Sequence, residues 1–134
     1  MFETTFPFCL LRKNEPNEFL LGSHDYMKVS ATLIILATYS ITDGDTLRSE
    51  ELRLRLWGID APEPNKPGGQ VAKEALANIT RGLQLTCNQV DLDRYGRVVA
   101  QCLLPDGVDI ACELVKAGHA RDWPRYSRGF YSDC

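Results

Sequence analysis

The sequence predicts a mainly β domain, a small barrel of five strands accompanied by two helices. Several short segments, most strictly residues 52–56, alternate apolar and polar residues as strands with one buried face do. Two other segments repeat apolar residues at helical spacing. The chain has 134 residues, 44% of them hydrophobic and 25% charged, which suits one domain with its own core. This composition fits neither a disordered tail nor a membrane protein.

Residues 1–30 differ from the rest of the chain. They mix aromatic residues, charges and helix breakers with no sustained period of 2 or 3.6. We therefore expect an N-terminal extension over residues 1–30, either signal-like or disordered, and a folded domain over residues 31–134.

Two interpretations compete for the apolar run at residues 29–37, which follows Met27 and Lys28. It is similar to a short signal-peptide core, which would make the protein secreted or periplasmic. We favour a first strand over residues 32–41, because this segment is rich in β-branched residues and ends at an Asp-Gly turn signal. If residues 29–41 are only that strand and no signal is cleaved, the protein is cytoplasmic. The run is too short to cross a bilayer, so no stable membrane association is expected.

The next elements are a hairpin and a helix. Residues 46–49 and 52–56 alternate around a Glu-Glu turn and are predicted to pair, with Arg53 and Arg55 on the face away from the core. Residues 62–69 contain three prolines and two glycines and are predicted to be a loop. Residues 70–80 form an amphipathic pattern that stops at a glycine, which predicts a helix.

A second hairpin and a second helix complete the predicted domain. Strands are expected over residues 83–90 and 98–104, and a Pro-Asp-Gly turn follows them. Residues 110–117 are predicted to be a short helix with Asp109 as its N-cap. The order is strand, hairpin, helix, hairpin, helix, so one helix lies between the third and fourth strands.

The five cysteines show no spacing typical of zinc sites. Four of them fall in the second half of the chain, and four cysteines allow three pairings. From the residues alone, free thiols in a reducing compartment and disulfides in an oxidising one both remain open.

Four carboxylates follow two of the predicted strands. Asp43 and Asp45 come after the first strand, and Asp60 and Glu63 come after the third. Adjacent barrel strands would bring these ends together, where the charges must be neutralised. Oxygen ligands without His or Cys suit Ca²⁺ or Mg²⁺ rather than zinc. The alternative is that each aspartate only shapes a turn or caps a loop.

Two arginines extend this pattern. Arg55 precedes Asp60 on the outward face of the third strand, and Arg97 opens the fifth strand. Paired guanidiniums beside a hard cation and a carboxylate are what phosphoryl chemistry needs, because they offset charge that develops on the phosphate oxygens. The alternative interpretation is that each arginine is a solvated strand residue or an ion-pair partner of these aspartates.

At these residues the sequence resembles the staphylococcal nuclease family. The similar motifs are ITDGDTL at 41–47, RLRLWGIDAPE at 53–63, DRYGRVVA at 93–100, and DG with LVKAG within 106–118, and they run in unbroken order through residues 31–126. The resemblance implies a five-stranded OB-fold barrel with a helix between strands 3 and 4 and a second short helix. It also implies that the C-terminal helix of larger members is missing here.

The resemblance further implies a calcium-dependent active site. Its implied members are the catalytic residues Arg55, Glu63 and Arg97, the metal ligands Asp45, Asp60 and the backbone carbonyl of Ala61, and the substrate-binding residue Tyr95. Asp43 and Asp93 are expected to shape turns. Tyr126 lies in an aromatic patch with Trp123, where it can stack on a base or simply pack against the protein.

The cysteines also gain an expectation from the resemblance to small exported members of the family. Cys87 and Cys102 are placed almost symmetrically about the tip of the second hairpin, where they can face each other. Cys112 on the second helix can then reach Cys134.

The predicted function is a monomeric calcium-dependent nuclease that hydrolyses phosphodiester bonds in DNA and RNA with little sequence specificity. Water attacks phosphate, which carries no sequence information. The alternative is a non-catalytic OB-fold module that binds nucleic acid or a protein. The net charge of −3 argues against coating of nucleic acid by bulk charge, so any contact with a polyanion must be local.

Overall fold

The computed structural model describes residues 32–134, and the predicted N-terminal extension over residues 1–30 lies outside them. The elements along the chain are β1 (Leu33–Leu36), β2 (Ser40–Asp43), β3 (Thr46–Ser49), β4 (Leu52–Leu56), β5 (Ile59–Asp60), α1 (Gly69–Thr80), β6 (Leu85–Leu92), β7 (Val98–Leu103), α2 (Ile110–Lys116), β8 (Arg121–Asp122) and α3 (Pro124–Ser127). Six strands form one sheet in the order β1-β6-β7-β4-β3-β2. The mainly β fold class with a helix inserted after the first hairpin is confirmed.

The predicted first strand over residues 32–41 is two strands rather than one. β1 pairs antiparallel with β6, whereas β2 pairs antiparallel with β3 at the opposite end of the sheet. The three residues between β1 and β2 bridge at most ~14 Å, so the two ends of the sheet must curl towards each other. A straight strand could not pair at both ends, which is why the chain bends at residues 37–39.

Tyr39 fastens this bend to the end of α1. Its single O–H is shared between the carbonyl oxygens of Thr80 and Leu83. Leu83 is still part of the turn that leaves α1, because its N–H donates to the Thr80 carbonyl at 2.9 Å. β6 therefore begins at Leu85, two residues later than predicted.

The barrel interior is filled by one face of each long strand and one face of each helix. Leu54 and Leu56 are buried while Arg53 is exposed, as the alternation in β4 predicts. Among the described residues, the large aliphatic side chains that are fully buried are Leu47, Leu54, Leu56, Ile59, Leu76, Leu85, Ile110 and Leu114. The predicted N-cap of α2 is confirmed, since the Asp109 carboxylate accepts a hydrogen bond from the Ala111 N–H.

The C-terminal segment makes contacts with the rest of the domain that the sequence does not predict. β8 pairs with β5, with Ile59 opposite Asp122 and Asp60 opposite Arg121. Two-residue strands carry no periodicity, so this small sheet has no sequence signature. Tyr131 is fully buried, and its hydroxyl donates to Asp109 Oδ2 at 2.9 Å.

Two disulfides join the same cysteine pairs that the resemblance implies. One links Cys87 and Cys102, which face each other across β6 and β7, and the other links Cys112 on α2 to Cys134. The first is fully buried, and the second anchors the end of the C-terminal segment to a helix. In residues 32–134, no helix has both the length and the apolar character needed to span a membrane.

Candidate functional site

Arg55 is the centre of the candidate site. Its Nη2 lies 3.3 Å from Asp45 Oδ2 and 3.7 Å from Asp60 Oδ1, so one guanidinium pairs with two carboxylates. Its Nη1 donates to the carbonyls of Leu56 and Ile59 at 3.2 and 3.1 Å. These bonds to main-chain and side-chain oxygens hold the guanidinium in one orientation beside the end of β4.

Asp45 is a buried carboxylate with several donors. Its Oδ2 accepts from the Ala61 N–H at 3.0 Å, and its Oδ1 accepts from the Thr46 hydroxyl at 3.0 Å. Burial raises the pKa of Asp45 to about 6, against the opposing effect of the Arg55 charge. The hydrogen bonds and one arginine thus only partly compensate the cost of burying this charge.

Asp43 shapes the turn that positions Asp45. Its Oδ1 accepts a hydrogen bond from the Asp45 N–H at 3.1 Å. Short-range bonds of this kind are typical of aspartate in turns, which agrees with the expected turn role.

Asp60 lies on β5 and is shared between two arginines. Its Oδ1 is the oxygen near Arg55, and its Oδ2 lies 3.3 Å from Arg121 Nη2. The Asp60 side chain is 37% exposed and that of Arg121 is 82% exposed, so the outer pair is largely solvated and contributes little to stability. The carboxylates and guanidiniums alternate from Asp45 through Arg55 and Asp60 to Arg121.

Glu63 is exposed and stands apart from this group. Its loop turns back on itself, with the Lys66 N–H donating to the Glu63 carbonyl at 2.9 Å. The same carbonyl lies only 1.7 Å from where a Cβ on Gly69 would be, so the start of α1 can approach the loop only because residue 69 is glycine. The loop backbone is therefore held, while the Glu63 side chain faces solvent.

The expected convergence of four carboxylates is not formed in the part of the chain that the structure describes. Within it, no group of three or more Asp, Glu, His or Cys side chains is placed to hold a metal ion. Asp45 and Asp60 meet at Arg55, and Asp43 lies close enough to Asp45 to help raise its pKa. Glu63 stands apart and faces solvent. The side-chain atoms next to Arg55 that could bind a cation are all carboxylate oxygens. One of these carboxylates, that of Asp45, is buried and its charge is only partly compensated by the protein. Such oxygen ligands suit a hard divalent cation.

Arg97 is held by the turn between β6 and β7. Asp93 Oδ2 lies 2.7 Å from Arg97 Nε, and Asp93 Oδ1 accepts from the N–H groups of Tyr95 and Arg97 at 2.9 Å each. Burial alone would raise the pKa of Asp93, but these bonds and the Arg97 charge outweigh it and lower that pKa. Arg97 directly precedes Val98, whose register partner Leu54 is adjacent to Arg55.

Tyr95 lies exposed at the tip of this turn. The residue is 57% exposed, and the guanidiniums of Arg94 and Arg97 lie 5.1 and 5.4 Å from its ring centre. Its carbonyl accepts from Arg53, which ties the tip to β4. An exposed ring flanked by arginines suits contact with a nucleotide.

Comparison with known proteins places this arrangement in a family. A family model described as staphylococcal nuclease homologue matches residues 53–133, more than half of the chain. The chain belongs to the staphylococcal nuclease family. The matched segment contains Arg55, Asp60, Glu63 and Arg97, while Asp45 precedes it.

Several known proteins are similar to this member of the staphylococcal nuclease family over part of their length. A probable staphylococcal-like nuclease of Oryza sativa subsp. japonica is 35% identical over 112 residues, which cover 80% of this chain and 34% of the rice protein. An uncharacterized endonuclease of Escherichia coli is 32% identical over 91 residues, 65% of this chain and 60% of that protein. A micrococcal nuclease of Shigella flexneri is 35% identical over 69 residues, 48% of this chain and 40% of that protein. The chain thus spans about one-third to three-fifths of the length of these relatives.

Two further residues of this family member contact the site residues, in pairings that the sequence does not predict. Arg121 pairs with Asp60, and the Trp123 ring centre lies 5.1 Å from the Arg55 guanidinium carbon. Trp123 also makes an edge-to-face contact with Tyr126 at 4.6 Å, and Tyr126 is 49% exposed. The aromatic patch is therefore beside the site, as one interpretation of Tyr126 requires, but only the β5–β8 pairing brings it there.

Proposed function

We propose that this protein is a calcium-dependent nuclease that hydrolyses phosphodiester bonds in DNA and RNA with little sequence specificity. The observation that supports this most strongly is the position of Arg55 between the carboxylates of Asp45 and Asp60. Membership in the staphylococcal nuclease family supports a nuclease activity of this general kind.

The proposed cation site consists of the carboxylates of Asp45 and Asp60 and the backbone carbonyl of Ala61. The Ala61 N–H already donates to Asp45, so the two loops that carry these oxygens are joined. Bound calcium would polarise the phosphate and favour ionisation of an attacking water. Calcium takes six to eight oxygen ligands, so water and phosphate oxygens would complete its shell.

The arginines bind the phosphate and stabilise the charge that develops during water attack. Arg55 presents its donors on the side of the two carboxylates, and Arg97 lies in the turn directly before β7, the strand that pairs with β4. Planar guanidiniums bind two phosphate oxygens at once, which orients the phosphate for in-line attack. Asp93 pairs with Arg97 Nε, and it remains ionised at neutral pH because its pKa is lowered.

Glu63 orients or deprotonates the attacking water, which its exposed position next to the Asp60–Ala61 segment allows. Tyr95 and Tyr126 contact the flanking nucleotides, because both rings are exposed beside arginines. Neither contact distinguishes one base from another, which agrees with low sequence specificity.

The test is cleavage of a fluorescent single-stranded DNA in calcium, in excess EGTA, and by two variants. Glu63→Gln and Arg97→Ala are each expected to lower the rate on the order of a hundredfold, because each removes one group that acts on the reacting phosphate or water. Arg81→Ala is a matched control, since Arg81 is exposed and bonds to Asn78 on the far end of α1. We expect its rate to equal that of the wild type.

Each outcome separates the competing functions. Undiminished cleavage in EGTA would exclude the calcium mechanism. A folded wild type that binds the DNA without cleaving it would identify a non-catalytic nucleic-acid module instead. Binding is measured by fluorescence anisotropy of the same labelled DNA.

We also propose that the protein works in an oxidising compartment, secreted or periplasmic. The support is the pairing of Cys87 with Cys102 and of Cys112 with Cys134, because disulfides rarely persist in a reducing cytosol. Thiol titration of the unfolded, unreduced protein should find one free thiol among the five cysteines. Five free thiols would refute the proposal.

A further inference from the structure

Trp123 lies face-on to the central arginine of the site. We propose that Trp123 is a positioning residue that holds the Arg55 guanidinium through its ring, an inference that rests on the proposed nuclease function. The Arg55 guanidinium carbon lies 5.1 Å from the centre of the Trp123 ring, within the range of a cation–π contact.

The indole is itself held on several sides. The backbone N–H of Trp123 donates to the Gly58 carbonyl at 2.9 Å, and this bond attaches Trp123 to the turn between β4 and β5. Its ring makes an edge-to-face contact with Tyr126 at 4.6 Å, and the side chain is half-buried. Trp123 follows β8 directly, so the pairing of β8 with β5 sets its position relative to Asp60.

The contact with Trp123 differs in kind from the other contacts of Arg55. Nη1 and Nη2 are already engaged by main-chain carbonyls and by the carboxylates of Asp45 and Asp60. When a phosphate binds beside those carboxylates, its oxygens compete with them for the N–H groups of Nη2. The indole uses only the face of the guanidinium and takes no donor from it. It can therefore keep Arg55 oriented both before and after phosphate binds.

The expected effect on cleavage follows from the usual strength of such a contact. A partly desolvated cation–π contact to tryptophan accounts for a change of about threefold to thirtyfold. We therefore expect Trp123→Leu to lower kcat about tenfold while KM for single-stranded DNA changes less than threefold. Trp123→Phe keeps an aromatic face and should restore most of kcat.

The decisive experiment is a double-mutant cycle between Trp123 and Arg55. Wild type, Trp123→Leu, Arg55→Lys and the double variant are compared by kcat on one fluorescent single-stranded DNA, with folding checked by thermal denaturation. If Trp123 acts through the planar guanidinium, Trp123→Leu lowers kcat in the wild type and has little further effect on Arg55→Lys. Equal losses in both backgrounds, or no loss in the wild type, would overturn the proposal.

Trp57→Phe is the matched control. Trp57 packs against Phe130 and Tyr131 rather than against Arg55, so its replacement should leave kcat unchanged. The same background leaves Trp123 as the one tryptophan of the chain. Its fluorescence gives a second readout that needs neither catalysis nor the Trp123→Leu variant.

In the Trp57→Phe protein, replacing Arg55 with Met is expected to shift the emission maximum of Trp123, because a charge at the ring face is lost. An equivalent change at Arg81, which follows α1 and bonds to Asn78, should leave the emission unchanged. An emission that does not respond to Arg55→Met would overturn the contact. If the wild type failed to cleave DNA, the proposed function would fail, whereas this shift would still decide the pairing of Trp123 with Arg55.

Discussion

Replacing Gly44 with alanine should damage the site more than it damages the fold. Gly44 lies in the turn between Asp43 and Asp45, and a Cβ there would be 2.8 Å from the Cβ atoms of both Ala61 and Ala72. Neither methyl group can rotate away, and Ala72 is fully buried on α1. The added methyl must therefore push the Ala61 segment away from Asp45.

The size of the effect follows from these distances. Ordinary contact begins at about 3.4 Å, so the turn and its neighbours must separate by at least about 0.6 Å. Overpacking of this kind costs about 1–3 kcal/mol of stability. The hydrogen bond from the Ala61 N–H to Asp45 Oδ2, now 3.0 Å, would lengthen with the shift. Because a 1 Å misplacement of reacting groups can cost about a hundredfold, we expect kcat to fall about 10- to 100-fold.

The assay compares calcium-dependent cleavage of single-stranded DNA with urea denaturation of the same protein. Gly118→Ala serves as the matched control, because Gly118 has a φ of +83° but no atom within 4 Å of an added Cβ. It should lose about 1 kcal/mol of stability through backbone strain and keep its cleavage rate. A Gly44→Ala protein that loses no more stability than the control and cleaves DNA at the wild-type rate would contradict the predicted displacement of the Ala61 segment.

Three further predictions concern stability. Burial raises the pKa of Asp45 to about 6 from 3.8, so in EGTA its contribution to the free energy of unfolding is present below about pH 4 and is lost as the pH rises through 6. The loss, on the order of 2–3 kcal/mol by urea denaturation, should be absent in Asp45→Asn. Replacing Cys112 and Cys134 with serine should cost about 3 kcal/mol by the same method, because the disulfide closes a loop of 22 residues. Tyr131→Phe should cost about 1 kcal/mol by removing the hydrogen bond to Asp109, with cleavage unchanged.

Each of these predictions has a contrary outcome. A pH dependence that persists in Asp45→Asn would assign it to another group. Equal stability with and without the Cys112–Cys134 pair would mean that the tail is held by packing alone. A loss of cleavage in Tyr131→Phe at normal stability would show that the tail acts on the site through this tyrosine.

Some residues of the candidate site are identified by local sequence. Others lie at the site only because distant strands pair with each other. The alternation in β4 already predicts that Arg55 leaves the core, and the Asp-Gly turn predicts that Asp43 bonds to a nearby N–H. Arg121 carries no comparable signal, because it lies in a two-residue strand 61 positions away from Asp60. A lone arginine in a tail has the same local pattern whether it is solvated or paired.

The predicted convergence of four carboxylates also depends on tertiary structure that local sequence does not record. Strand ends indicate which loops meet but not which way each side chain points. Asp45 is turned inward and bonds to the Ala61 N–H, whereas Glu63 lies on a loop whose backbone is held and whose side chain faces solvent. Side-chain direction in a loop depends on the packing of the main chain around it, which no periodicity records.

The elements that local sequence predicts correctly are those with local causes. Alternation, helical spacing and an aspartate cap predict β4, α1 and α2, because neighbouring residues alone decide which face is apolar and where a helix begins. Tertiary structure decided the bend at residues 37–39, the pairing of β8 with β5 and the contact of Trp123 with Arg55. These depend on closing a curled sheet and on contacts between residues far apart in the chain, and such contacts leave no repeating pattern in the sequence.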